Sequence, residues 1–465
     1  MADDRKPNIV FFFTDDQRFD TIAALGNEQV HTPAMDWLVE GGLSFTQACI
    51  MGGTSGAVCM PSRAMLNTGR TLFHIDGVGK EVPPGHTLLG EMFQAAGYET
   101  FGTGKWHNGT DAYARSFTCG DEIFFGGMAD HWNMPSCRFD PDGKYDRFYP
   151  SCRDAFSSND LRWNRGDHVT PGKHSSELLA EAAAEFVREY EQEKPFYLYL
   201  SFLAPHDPRT MPEKFREMYD PDEIDLPPNF LPEHPFDKGH MRNRDEMLED
   251  FPRTPEAVRK HIAEYYGMIS HLDAQMQMVI DALREKGELE NTVFVFAGDN
   301  GLAVGQHGLM GKQSVYEHSV RVPLVFRGPG IPEGQQSETL AYLIDIFPTL
   351  CEMIGSDIPD SVEGKSLVPV WKDGQPLRDS QYLAYTWFQR GLRDGRWKLI
   401  ENVVDGERTT QLFNLVEDPW ETKNLAGQVN QDRRLATLRK RMIEWRDQLD
   451  EMDSEFGRTF WSAWE

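Results

Sequence analysis

The chain reads as an α/β protein: a large, mostly parallel or mixed sheet sandwiched by helices, with a small antiparallel sheet and a helix at its C-terminal end. Three observations predict this. Short apolar runs alternate with helical patterns from Asn8 to Arg327. Four of those runs lead into polar residues, at Asp15-Asp16, Lys105, His206 and Asp299-Asn300. Near Ser380 the texture changes to short strands without helices between them.

Each element follows from its residues. Positions 8–13 are continuously apolar and short enough for a buried strand. Thr32 is the expected N-cap of a helix over 32–39, with Pro33 in its first turn and Gly41-Gly42 at its end. A helix over 87–96 closes at Gly97 and leads to a strand at 98–103. Helix 175–190 leads to strand 196–202, and helix 255–286 to strand 292–297; 323–327 is a further strand. In such sheets ligands bind beyond the carboxyl ends of the strands, so the four polar strand ends mark one candidate site. Beyond Ser380, 381–387, 396–403 and 410–415 read as antiparallel strands. Leu435, Leu438, Met442 and Trp445 recur at helical spacing within 433–452. This divides the chain into a larger unit, 1–375, and a C-terminal subdomain, 376–465.

Between 108 and 173 periodicity disappears, and aromatic residues mix with arginines, among them Trp132, Tyr149, Trp163, Arg153, Arg162 and Arg165. A structureless stretch of that length calls for a role. It reads either as an irregular layer with a small core or as a wall that binds sugar faces and anionic groups.

The chain has 465 residues and a formal charge of −27, from 47 basic and 74 acidic residues. That balance argues against nucleic acid and anionic membrane as partners. No stretch reaches the length of an apolar membrane span. Met1 to Lys6 leads straight into the first strand. The expectation is a cytoplasmic protein if Met1 is the native start, and a periplasmic or secreted one if a leader has been removed. Six scattered cysteines make no disulfide framework; Cys137 and Cys152 could bridge, but free buried thiols are the expected state.

Cys59-Met60-Pro61-Ser62-Arg63 is followed in order by Gly104-Lys105-Trp106-His107, Ala204-Pro205-His206, Gly298-Asp299-Asn300-Gly301 and Gly311-Lys312. From Asn8 to about Leu425 the chain resembles the type I sulfatases of the alkaline phosphatase superfamily, in which the C-x-P-S-R cysteine is oxidised to formylglycine. The phrases Arg393 to Leu399 and Leu412 to Leu415 resemble that family's C-terminal unit, which implies four strands and one helix there. The Asp16-Gln17-Arg18 run with Asp20 is closer to carbohydrate sulfatases than to aryl-substrate ones. Asn108 stands where many members have leucine, and His318-Ser319 where glycines are common; both departures bear on the substrate rather than the reaction.

The resemblance implies a mechanism. Formylglycine at Cys59 hydrates to a gem-diol; one hydroxyl attacks sulfur to give a covalent sulfated enzyme, and the other expels sulfate and restores the aldehyde. Asp15, Asp16, Asp299 and Asn300, with an oxygen of the converted Cys59, offer enough hard ligands for Ca²⁺ rather than Mg²⁺. Lys105 contacts sulfate, His107 acts as the base, and Arg63 steadies the diol. His206 and Lys312 flank the leaving oxygen, with His206 the acid. His307 and Arg18 are candidate substrate-binding residues. The implied partners are a sulfated carbohydrate, of algal type for instance, and the enzyme that converts Cys59. Oligomeric state is not legible. Two competitors stand beside this reading: a phosphodiesterase or phosphonate monoester hydrolase of the same superfamily, and a non-catalytic binder of sulfated glycans.

Overall fold

The computed structural model describes residues 5–152, 154 and 156–464, so Arg153 of the insertion lies outside the described residues. Eight strands form the main sheet, in the order Gln335–Ser337, Leu43–Phe45, Leu324–Arg327, Thr292–Gly298, Asn8–Thr14, Phe196–Ser201, Glu99–Lys105 and Cys119–Phe124. From Thr292–Gly298 to Cys119–Phe124 the strands are parallel, while Leu324–Arg327 runs antiparallel to both its neighbours. The sheet is therefore mixed.

Both faces are covered. Ile9, Phe11 and Phe13 enter one core, and Val10 and Phe12 the other. This two-sided burial is why the strand is continuously apolar rather than alternating. Helices Pro33–Glu40, Ser175–Glu189 and Pro255–Lys286 pack on one side, and Cys59–Thr68, Leu89–Ala95 and Ile346–Ile354 on the other.

Four local expectations are corrected. Thr32 does not cap its helix; its hydroxyl accepts from Ala23 N, 2.9 Å away. The Asp273 carboxylate accepts from Ala34 N and Met35 N instead, at 2.9 and 2.8 Å, a cap supplied from across the fold. The C-terminal sheet has five strands, not four. Gln381–Tyr385, Gln389–Arg393, Trp397–Val404 and Glu407–Asn414 are joined by the two residues Gly52–Gly53. A Cβ on Gly52, at φ 98°, would lie 2.0 Å from Ala384 O, so only glycine permits the pairing.

The closing helix ends at Gln448, and a second follows at Glu455–Trp464. Between them Asp450 is left-handed, and Glu451 turns inward to pair with Arg390 at 2.5 Å. A buried carboxylate needed a partner, and the helix breaks to reach it. Finally, segment 108–173 is not structureless. It forms helix Thr110–Ser116, the edge strand Cys119–Phe124 and an antiparallel hairpin of Phe148–Cys152 with Leu161–Arg165. Tyr113, Phe125 and Tyr145 pack against one another and join the main core. All six cysteines are free.

Candidate active site

Register brings the polar strand ends together. Thr14 lies beside Gly298, and Ser201 pairs with both Phe13 and Gly104. Asp15 N donates to Ala204 O at 3.2 Å and Asp299 N to Thr14 O at 2.9 Å, joining the segments that follow the strands. Asp16 then turns left-handed, at φ 64°. Its carboxylate accepts from Lys312 Nζ at 2.6 and 2.8 Å and from Asn300 Nδ2 at 2.7 Å.

Helix Cys59–Thr68 brings in the second group. Cys59 is its first residue, and no side chain caps its start. Arg63, one turn on and fully buried, binds Asp299 Oδ2 at 2.8 Å, Lys105 O at 2.9 Å and Ser201 Oγ at 2.6 Å. It thus locks the helix to three strand ends. Lys105 Nζ pairs with Asp15 and lies 3.5 Å from Cys59 Sγ; His107 Nδ1 is also 3.5 Å from that sulfur. The segment does not stay extended between Lys105 and His107, because His107 is left-handed at φ 73°. Both side chains still meet at Cys59. Gly104 makes this possible: a Cβ there would sit 1.9 Å from Ser201 O.

Electrostatics assign charge states. Burial pushes the Cys59 thiol up to about 11, and Lys105 offsets only part of that. The unmodified thiol is therefore protonated at neutral pH and a poor nucleophile. Burial, then Lys105 and Arg63, hold His107 well below the usual histidine range, so its imidazole is neutral. Burial works against a charged Lys312, but Asp16 outweighs it and keeps the ammonium protonated.

A pocket of about 340 Å³ opens over Cys59, and His107, His206 and Lys312 line it. His206 Nδ1 donates to Asp207 O at 2.7 Å, which leaves Nε2 free; that atom is 3.7 Å from Asp16 Oδ2. His307 and Arg18 are not brought to this pocket. His307 stacks on Tyr316 with ring centroids 4.1 Å apart and meets Asn229 Nδ2 at 3.1 Å. Arg18 pairs with Asp20 at 2.6 Å, lies over Tyr265, and lines a separate cleft with Tyr266 and Trp420. Nearness in sequence to Asp16 and Lys312 did not carry into space: the left-handed turn at Asp16 redirects the chain before Arg18, and His307 is held by its stacking on Tyr316.

The acidic cluster fits a hard cation. Asp15 Oδ1 and Asn300 Oδ1 are buried and accept no hydrogen bond. Ligand atoms of Asp15, Cys59 and Asp299 lie within 4.8 Å of one another, as do those of Asp15, Asp16 and His206. Burial, with Asp15 beside it, pushes the Asp299 carboxyl up to about 7. Orphaned oxygens and crowded carboxylates are what a cation relieves.

Sequence reasoning missed part of the wall. His240, Asn243 and Arg244 line the pocket from a segment with no periodicity to mark it. Asp207, beside His206, pairs with Arg244 and lies 3.5 Å from His206 Nδ1. Burial would raise its carboxyl, but His206 and Arg244 hold it well below the usual range. His131 Nε2 meets His206 O at 2.9 Å, buried among His174 and Ser175. Only Asp207 had a signal, its adjacency to His206.

A mixed α/β sheet with this polar carboxyl edge is the alkaline phosphatase superfamily architecture, and its enzyme class here is the sulfuric ester hydrolases. The sulfatase family model matches residues 7–356, most of the chain, and the chain belongs to that family. A model of the N-sulphoglucosamine sulphohydrolase C-terminal region matches residues 305–448. The chain is 29% identical over 478 residues to an arylsulfatase of Clostridium perfringens, with 94% of each covered. It is 28% identical over 472 residues to an ulvan-active sulfatase of Formosa agariphila, covering 96% of this chain and 83% of the relative. Its fold matches a structure of a protein in complex with its substrate D-glucosamine-2-N,6-O-disulfate. The TM-score is 0.77 at 20% identity, over 97% and 99% of the two chains.

Proposed function

We propose that this sulfatase removes O-sulfate from a carbohydrate, an oligosaccharide of a sulfated polysaccharide, with Cys59 converted to formylglycine and Ca²⁺ held by Asp15, Asp16, Asp299 and Asn300. The observation that carries the reading is the setting of Cys59. Its sulfur sits on the wall of a pocket, 3.5 Å from both Lys105 Nζ and His107 Nδ1 and within 4.8 Å of a carboxylate oxygen of Asp15. The sugar-active names among the relatives support the carbohydrate.

Conversion supplies a nucleophilic oxygen, with a second oxygen on the same carbon, where a buried thiol is inert. The cation supplies charge neutralisation at the sulfuryl oxygens. The chain's own residues do the rest. Lys105 ties Asp15 to position 59, and Lys312 holds Asp16 while facing the pocket. Neutral His107 takes a proton from position 59. His206 gives one from Nε2 to the leaving sugar oxygen, its other nitrogen being held by Asp207 O.

Intact mass tests the conversion: the protein made in a host with the maturation enzyme should be lighter by about 18 Da, as a thiol becomes an aldehyde. Paired sulfate and phosphate esters of one alcohol test the reaction. Faster hydrolysis of the phosphate ester would make the protein a phosphodiesterase-type member of the superfamily. An unconverted, inactive protein that binds sulfated sugars would make it a glycan binder.

A further inference from the structure

We infer that the hairpin of Phe148–Cys152 and Leu161–Arg165 forms a second saccharide subsite, which holds a sulfated sugar unit next to the one whose ester is cleaved; the inference rests on the proposed function above. A cleft of about 800 Å³ lies between this hairpin and the edge strand Cys119–Phe124. That volume is within the range of small-molecule sites and more than twice that of the pocket over Cys59. Met128 lies on the walls of both spaces, so the cleft adjoins the pocket over Cys59.

The chemistry of the walls selects the ligand. Tyr149 pairs with Asn164 and Ser151 with Arg162 across the hairpin, so these four share one face, and all line the cleft. Asn164 Nδ2 donates to Ser151 Oγ at 2.7 Å, which fixes a polar patch between the tyrosine ring and the guanidinium. Tyr149 is only half-buried on that face, so its ring offers an aromatic surface to the cleft, whereas Trp163, paired with Pro150, stands on the outer face. Sugar faces stack on such rings.

Charge narrows the class further. Arg162 and Arg165 line the cleft against the single carboxylate of Asp130, a positive island on a chain of net charge −27. Arg165 is engaged with Tyr145 O and stacks over Phe148 at 4.6 Å. Among the described residues Arg162 forms no ion pair, which leaves its guanidinium for an anionic group of the ligand. The occupant is therefore an anionic saccharide, not a neutral glycan or an apolar peptide.

Calorimetric titration with a short dextran sulfate oligosaccharide tests this, because that probe carries sulfate along its whole length. Wild type should bind it, more weakly as salt rises, and should bind neutral dextran of the same length far less. The double variant Tyr149→Ala/Arg162→Ala should bind the sulfated probe about tenfold more weakly, with an unchanged melting temperature. Phe156→Ala, at the exposed hairpin tip and off the cleft wall, serves as the control and should bind as wild type does. Equal affinity in the double variant and wild type, or no binding by wild type, overturns the subsite. Nitrophenyl sulfate hydrolysis by the same wild-type preparation keeps the two claims apart. Hydrolysis without saccharide binding sinks only the subsite; variant-sensitive binding with no sulfate ester hydrolysed sinks only the assigned reaction.

Discussion

Asp15, Asp299, Arg63 and Lys105, on the floor of the pocket, are completely buried and bound to one another. Arg244 on its wall and Trp163 beyond it stand 45% and 62% exposed. The floor comes from strand ends and the first turn of one helix; the wall comes from an irregular segment, and the cleft beyond it from a hairpin. Buried charges must be paired, so the floor cannot change one residue at a time without cost to the fold. The wall is solvated and can change alone. On the proposed function, reaction and substrate choice would fall to parts with different freedom to vary.

The sharpest test of the floor is Cys59→Ser. It should lower multiple-turnover activity on any sulfate ester by about 10⁴-fold or more, with the melting temperature close to wild type, since the swap is nearly isosteric. Wild-type turnover in that variant would break the assignment of position 59. Metal removal comes next. Exhaustive chelation should abolish activity, and Ca²⁺ should restore it better than Mg²⁺. Asp299→Asn should cost about 10²–10³-fold, measured at saturating Ca²⁺. Full activity in metal-free protein, verified by elemental analysis, would refute the cluster.

His206 stands between floor and wall, and its effect should depend on the leaving group. His206→Ala should slow cleavage of a sugar sulfate by about 10²–10⁴-fold and of nitrophenyl sulfate much less, since nitrophenolate departs without a proton. Equal loss on both esters, in single-turnover rates, would move the acid role to Lys312.

The smallest effect lies outside the site, where His74 pairs with Glu363. The hydrogen bond to Glu363 raises His74 above 6.5 despite partial burial. Burial would raise Glu363, but His74 and Thr71 lower it from 4.5 to about 2. The histidine's contribution is full below 6.5 and is lost as pH rises through its folded value. The glutamate's is full above 4.5 and is lost as pH falls toward about 2. The pair thus stabilises most between 4.5 and 6.5. His74→Ala should cost at most about 1 kcal/mol there and less in alkaline solution, by urea unfolding. A penalty that grows with pH would contradict the pairing.

Much of this was legible in the sequence. Four apolar runs ending in polar residues gave the sheet and the edge where its chemistry gathers, because strand direction and burial are local properties of composition. Cys59, Arg63, Lys105, His107, His206, Lys312 and the Asp15, Asp16, Asp299 and Asn300 cluster were all named from motifs, and the structure gathers them at one edge. His307 and Arg18 were named the same way and lie elsewhere. A motif fixes position along the chain, whereas direction in space depended on the left-handed turn at Asp16 and the stacking of His307 on Tyr316.

The sequence by itself determined the α/β class, the order of the main elements and the polar residues that meet at one sheet edge. Tertiary structure alone decided what depends on distant partners. Asp273 caps a helix more than two hundred residues away. Gly52–Gly53 completes the C-terminal sheet, and Glu451 breaks the closing helix to meet Arg390. The hairpin became the wall of a cleft and Arg244 the wall of the pocket although no periodicity announced them. Hydrophobic period and turn chemistry act over a few residues and can be read in line. Pairing of buried charges and closure of a cleft act between segments that only folding brings together.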